Sequence, residues 1–187
     1  MPHIEQTSPD AGLWNGGLRY RENVTSRIGV FTDEAAALTT QVMLSAGVPL
    51  YPGDFISKIT VMVGATAAGT PTNQWAALYT PGGVLMTGSQ SADGTNTAIP
   101  ASTALTFTLT VPQLITSEGI YYAGVMVKAT TVPSLVCQNV GVAVASGAVL
   151  TGQAIRAQTS GSSLTTTAPT TIATPTTVAK VPYVVLS

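Results

Sequence analysis

The sequence has little charge. Only 8% of its 187 residues are charged and the formal net charge is −1, whereas about a quarter of the residues of an ordinary soluble protein are charged. Long-range electrostatic attraction to nucleic acid or to anionic lipid is therefore not available. Threonine, serine, alanine, glycine and valine dominate instead, so we expect a neutral, hydroxyl-rich surface and neither nucleic acid nor membrane among the partners.

Cysteine and histidine are almost absent. The one cysteine, Cys137, lies in the apolar stretch "PSLVCQNV", and the one histidine is His3. A disulfide framework, a zinc site and a Ser-His-Asp or Cys-His catalytic arrangement all need more of these residues. The acidic residues after residue 34, Asp54, Asp93 and Glu118, are isolated in the sequence. We therefore predict a protein without enzymatic activity, metal or cofactor, in which Cys137 is a buried, inert thiol.

Long apolar runs and targeting signals are also absent. The opening "MPHIEQTSPD" has neither a basic region nor an apolar core of a signal peptide. The longest weakly polar run, "VGVAVASGAVL", is too short to cross a bilayer. The sequence thus predicts synthesis in the cytoplasm without a signal peptide.

Alternation with a period of two residues is the main structural signal. In "ALTFTLTVP" the apolar residues Leu105, Phe107, Leu109 and Val111 alternate with threonines, which is typical of a half-buried strand. "FISKITVMVG" and "GIYYAGVMVKAT" alternate in the same way, and "PGG" between two apolar stretches predicts a hairpin turn. We predict an all-β fold, an antiparallel, jelly-roll-like β-sandwich of about eight strands.

Charge is concentrated at the beginning of the chain, where the first 34 residues carry 8 of the 15 formal charges. This stretch has no sustained period, so we interpret residues 1–34 as an extended N-terminal docking arm. Residues 35–187 form the predicted sandwich domain, with a Thr/Pro/Ser-rich loop at residues 158–180. Tryptophan and arginine favour binding hot spots, so the candidate partner-docking residues are Trp14, Arg19, Tyr20, Arg21 and Arg27.

Three aromatic residues of the predicted domain are candidates for contact with a glycan: Trp75, Tyr79 and Tyr122. An aromatic ring offers an apolar face that can stack on a sugar. The competing interpretation of Trp75 is a core or interface residue.

Two stretches carry a resemblance to a known group of proteins. They are "ISKITVMVGATAAGTPTNQWAALYTPGGVLMTGS" and "TALTFTLTVPQLITSEGIYYAGVMVKATTVPSL". They resemble β-rich domains of minor tail, tail-fibre and related virion proteins of phages that infect actinobacteria, over roughly residues 48 to 140 and the last seven residues. The resemblance implies a structural or adhesive role, and it brings no catalytic residues with it.

Together these observations predict a non-enzymatic virion structural protein, most simply a minor tail or tail-tip component that docks through its arm. The alternative is a capsid decoration protein, which also needs a β-domain and a gripping arm. A carbohydrate-binding module for the host surface is a further alternative. The expected partners are other virion proteins, copies of the chain and, in the last case, a cell-wall glycan.

Overall fold

The structure is a computed structural model that describes residues 20–23, 32–34, 38–147 and 151–187. Within these ranges the chain forms twelve strands and one short helix. They are β1 (Arg21–Glu22), β2 (Thr32–Glu34), β3 (Met43–Leu50), β4 (Phe55–Met62), β5 (Asn73–Tyr79), β6 (Ala104–Leu114), β7 (Gly119–Lys128), β8 (Leu135–Asn139), α1 (Val142–Ala145), β9 (Ala157–Ser160), β10 (Thr176–Thr177), β11 (Lys180–Pro182) and β12 (Val184–Leu186). The all-β prediction is confirmed.

The strands form three antiparallel sheets. The largest has the order β10-β9-β3-β7-β5, the second β1-β12-β4-β6, and the smallest β11-β8-β2. Strands that follow one another along the chain alternate between the two larger sheets from β3 to β7. Side chains from both of these sheets meet in one buried cluster, as in a β-sandwich.

The main core follows the predicted alternation. Ile59 and Val61 of β4 stand opposite Phe107 and Leu105 of β6 and lie in the same cluster as the inward residues of β3 and β7. The thiol of Cys137 is buried in this cluster, as predicted. Val111, predicted on the inward face, is instead 49% exposed. The N–H groups of both Thr110 and Val111 bond outward, to Gln90 and Gly88, and this interrupts the alternation.

A second, smaller core covers the other face of the five-stranded sheet. Strand β7 is buried at every residue from Tyr121 to Val127, so both of its faces are covered. One face belongs to the main core, and the other packs with Met43, Trp75, Tyr79 and Ala168. The cover comes from residues 161–175, which we call the Thr-rich strap.

The predicted loop at residues 158–180 is therefore only partly a loop. It begins within β9, pairs as β10 at Thr176–Thr177 and ends where β11 begins. Between β9 and β10, the Thr-rich strap crosses the sheet and bonds to the turn after β5, where Leu85 N–H donates to Thr170 and Ile172 N–H donates to Gly83. That turn is the hairpin predicted at "PGG", closed by a bond from Gly83 N–H to Thr80.

The division into an arm and a domain at residue 34 needs correction. Strand β1 pairs with the C-terminal strand β12, and β2 pairs with β8. The two strands before residue 35, β1 and β2, are thus edge strands of two sheets of the domain. No helix among the described residues has the length and apolar character needed to cross a membrane.

Candidate docking surface

Arg21 ties the beginning of the described chain to the body of the domain. Its Nε and Nη2 donate to the two carboxylate oxygens of Asp54, both at 2.8 Å. The Asp54 side chain is 3% exposed and that of Arg21 is 16% exposed. The guanidinium also lies over the ring of Tyr51, 4.9 Å from its centroid, and Tyr51 N–H donates to Asp54 at 2.9 Å. Bidentate, stacked geometry of this kind is specific to arginine.

Asn23 completes the attachment. Its side-chain amide donates to the carbonyl of Pro182 and accepts from Val184 N–H at 3.0 Å. Its own N–H donates to the Val184 carbonyl. Asn23 is buried, so these bonds form away from water. Residues 21–23 are consequently locked to the C-terminal strand.

An exposed apolar pair lies at one end of the same sheet. Phe55 and Leu114 are 61% and 59% exposed and stand directly opposite each other on β4 and β6. We call these two residues the Phe55 pair. Because β1 and β4 are both antiparallel to β12, they run in the same direction. Followed backward from Glu22 to Arg21, β1 therefore points toward the end of the sheet that carries the Phe55 pair.

The predicted docking residues divide into two groups. Trp14, Arg19 and Arg27 lie outside the described residues. Tyr20 is half-buried beside β1. The prediction that Arg21 binds a separate partner is corrected, because both of its bonds to a carboxylate are made within the chain. Arg21 thus anchors the segment that precedes it.

Sequence reasoning missed the Phe55 pair. The alternation in "FISKITVMVG" predicts that Ile59, Val61 and Val63 face inward. Continued backward along the strand, the same alternation places Phe55 inward too. A bulge between Ile56 and Lys58 shifts the register, so Phe55 faces outward. Leu114 did carry a signal, because it follows the outward threonines of β6 in the same phase.

The glycan-contact prediction for Trp75, Tyr79 and Tyr122 is corrected by their burial. Trp75 and Tyr79 are fully buried and Tyr122 is 7% exposed. Trp75 Nε1 donates to the Thr165 carbonyl at 2.7 Å, and the Tyr79 hydroxyl donates to the Pro169 carbonyl at 3.0 Å. The Thr-rich strap occupies the ring faces that a sugar would need.

Burial also changes the pKa of the hydroxyl groups of Tyr79 and Tyr122. Loss of hydration raises the pKa of Tyr79 above its usual range. Burial raises the pKa of Tyr122 as well, and a hydrogen bond with the backbone of Ile155 opposes that effect. Both phenols therefore stay neutral at physiological pH and suit a core role.

The Asp93 side chain has structural partners in the described chain. The Asp93 carboxylate accepts hydrogen bonds from the Asn73 amide at 2.6 Å, from Gln74 N–H at 2.9 Å and from the Thr95 hydroxyl at 2.9 Å. It thereby ties the start of β5 to the loop that contains Asp93. No group of three or more histidine, cysteine, aspartate or glutamate residues that could hold a metal occurs among the described residues.

Comparison with known proteins gave no match: no protein-family model, no curated protein and no solved structure is similar to the chain at a significant level. The fold defines the class, an antiparallel all-β domain whose first described strand, β1, lies at one sheet edge. Any functional assignment depends on this geometry and on the sequence motifs.

Proposed function

We propose that the protein is a non-enzymatic structural component of a phage virion, a minor tail or tail-tip protein. Its N-terminal segment docks on another virion protein and the β-domain is presented outward. The observation that carries the proposal is the Arg21–Asp54 attachment, which fixes the departure point of the N-terminal segment beside the Phe55 pair. A terminal segment and an exposed apolar pair at one end of a sheet make a compact attachment surface.

The surface chemistry supports a role inside an assembly. Seven of the described strands, β3, β5, β6, β8, β9, β10 and β12, carry no charged residue, and threonines line the outer face of β6. A weakly charged protein is prone to association in free solution, and in a multi-copy particle such association is the function. The sequence resemblance to β-rich virion domains points the same way.

Burial of the aromatic residues argues against the carbohydrate-binding alternative at the predicted position. A site at Trp75, Tyr79 and Tyr122 would require the Thr-rich strap to leave the sheet and give up its bonds to Trp75 and Tyr79. The capsid decoration alternative uses the same anchored segment and differs in location and copy number.

We expect the protein to be present in purified particles of the phage whose genome encodes it. Quantitative mass spectrometry of gradient-purified particles, with the major capsid protein as internal standard, measures its copy number. A few to a few dozen copies are expected for a tail component, and hundreds would favour capsid decoration. Absence from intact particles, with the protein abundant in the infected-cell lysate, would contradict a virion role.

A further inference from the structure

A pocket lies beside strand β3, at the point where β9 stops pairing with it. β9 pairs with residues 43–46 of β3, and beyond them Gly47 N–H donates to the Arg156 carbonyl at 2.8 Å. In this register every second residue of β3 directs its backbone groups toward β9. The next such residue is Pro49, which has no N–H to donate. The pairing therefore ends at Gly47 and leaves a gap at the sheet edge.

The pocket occupies this gap and has a volume of about 470 Å³. Its walls are mostly apolar. Pro49 and Ile120 come from β3 and β7, and Val144 and Ile155 come from α1 and from the residues before β9. Val144 is 51% exposed, so the pocket is open to solvent beside α1. A volume of this size, with apolar walls and a few polar groups, is typical of a ligand site.

The first polar group of the pocket is the carbonyl of Gly47. In a regular antiparallel ladder Arg156 N–H would donate to this carbonyl, but it donates to the Ala145 carbonyl at 2.8 Å instead. Within the described part of the chain, the Gly47 carbonyl consequently has no hydrogen-bond partner. Since Gly47 lines the pocket, its carbonyl can accept a hydrogen bond from an N–H group of a ligand.

The second polar group is the guanidinium of Arg156, the only charge among the described residues that line the pocket. Arg156 is exposed, and its side chain makes no ion pair or hydrogen bond with the described residues. The lining residues Asn23 and Gly147 are followed in the sequence by residues 24–31 and 148–150, which contain no acidic residue. A carboxylate on a ligand would supply the complementary charge.

We propose that the pocket binds the C-terminal residue of another polypeptide chain, one with an apolar last side chain. The main-chain N–H of that residue donates to the Gly47 carbonyl, and its carboxylate accepts from the Arg156 guanidinium. Its side chain packs against the apolar walls. Gly47 and Arg156 face each other across a single hydrogen bond. The two ligand groups must therefore lie close together, as the N–H and the carboxylate of one terminal residue do.

Isothermal titration calorimetry of the full-length chain with short peptides tests this proposal. The probes are two N-acetylated pentapeptides, Gly-Ser-Gly-Ser-Phe and Gly-Ser-Gly-Ser-Ser, each as the free acid and as the C-terminal amide. We expect the phenylalanine peptide with a free carboxylate to bind saturably, one molecule per chain. Replacing its carboxylate by the amide is expected to weaken binding about tenfold or more, because the charged hydrogen bond is lost. Replacing phenylalanine by serine is expected to weaken it by a similar factor.

Arg156→Gln removes the charge that the proposal assigns to the carboxylate. We expect this variant to bind the acid and the amide of the phenylalanine peptide equally weakly. Lys58→Gln is the matched control, since Lys58 is an exposed cation that does not line the pocket, and it should bind like wild type. Both variants should melt like wild type, because both side chains are exposed.

A wild-type chain that binds neither form of the phenylalanine peptide, or that binds acid and amide equally, would overturn the proposal. An Arg156→Gln chain that keeps the preference for the acid would overturn it too. The pocket shares no residue with the Phe55 pair. None of these results alters detection of the protein in particles, so this inference and the proposed function fail separately.

Discussion

Replacing Trp75 by alanine is expected to lower the free energy of unfolding by about 3–5 kcal/mol. Trp75 is fully buried, it packs in the second core against Met43 and Ala168, and its indole N–H donates to the Thr165 carbonyl. The variant leaves a cavity between sheet and strap and an unpaired carbonyl. Urea unfolding followed by far-ultraviolet circular dichroism measures the loss.

Trp75→Phe serves as the control, because it keeps an aromatic ring and removes the donor. We expect it to be destabilised by about 1–2 kcal/mol, less than the alanine variant. The alanine variant should also make the Thr-rich strap more sensitive to protease. An alanine variant as stable as wild type would show that the strap does not seal this face, and it would reopen the glycan interpretation of Trp75.

Removing the guanidinium of Arg21 is expected to lower the free energy of unfolding by a similar amount. Arg21→Ala leaves the Asp54 carboxylate buried, with Tyr51 N–H as its remaining hydrogen-bond donor among the described contacts. Breaking a buried ion pair from one side costs about 3 kcal/mol, because the remaining charge is uncompensated. The measurement is again the free energy of unfolding, with Lys58→Ala as an exposed control that is expected to change it by less than about 0.5 kcal/mol.

A double-mutant cycle measures the coupling energy between Arg21 and Asp54 apart from the other contacts of each side chain. If the two groups act together, Arg21→Ala combined with Asp54→Ala should be less destabilised than the sum of the single variants. Arg21→Lys should recover only part of the loss, because lysine cannot make the bidentate bond or stack on Tyr51 in the same way. Additive single variants would contradict the anchoring role of Arg21.

The strands of the main core could be predicted from the sequence because their two faces have different environments. Leu105, Phe107 and Leu109 alternate with threonines, and the structure keeps that alternation. Alternation alone was not sufficient for strand β7, because Tyr121 and Tyr122 face opposite sides of the sheet and both are buried. Alternation identifies a strand, but it does not show whether another layer covers the second face.

The Thr-rich strap was hard to predict for a specific reason. It holds Trp75 and Tyr79 through the backbone carbonyls of Thr165 and Pro169, and every residue has such a carbonyl. The composition of residues 158–180 therefore predicted a surface loop. Without a visible cover for its ring, Trp75 became a candidate for contact with a glycan. The Phe55 pair was missed because a single bulge reverses the faces of a strand.

Arg21 illustrates a different limit. Its charge and its position near the start of the chain indicated a docking role, but its partner Asp54 lies 33 residues further along. Sequence separation of this size does not reveal whether a carboxylate belongs to the same chain or to another protein. The structure assigns the partner and moves the start of the folded domain back to at least Arg21.

Docking through the N-terminal segment is tested most directly by the incorporation into particles of a chain that lacks residues 2–19. This truncation keeps Arg21, Asn23 and all of their described bonds, whereas a truncation through residue 30 removes them and is expected to destabilise the domain. Particles assembled in the presence of the truncated chain are analysed by quantitative mass spectrometry, beside a thermal melt of the free protein. We expect a melting temperature like that of wild type and loss of the protein from the particles. A truncated chain that folds and enters particles at the wild-type copy number would contradict docking through the N-terminal segment.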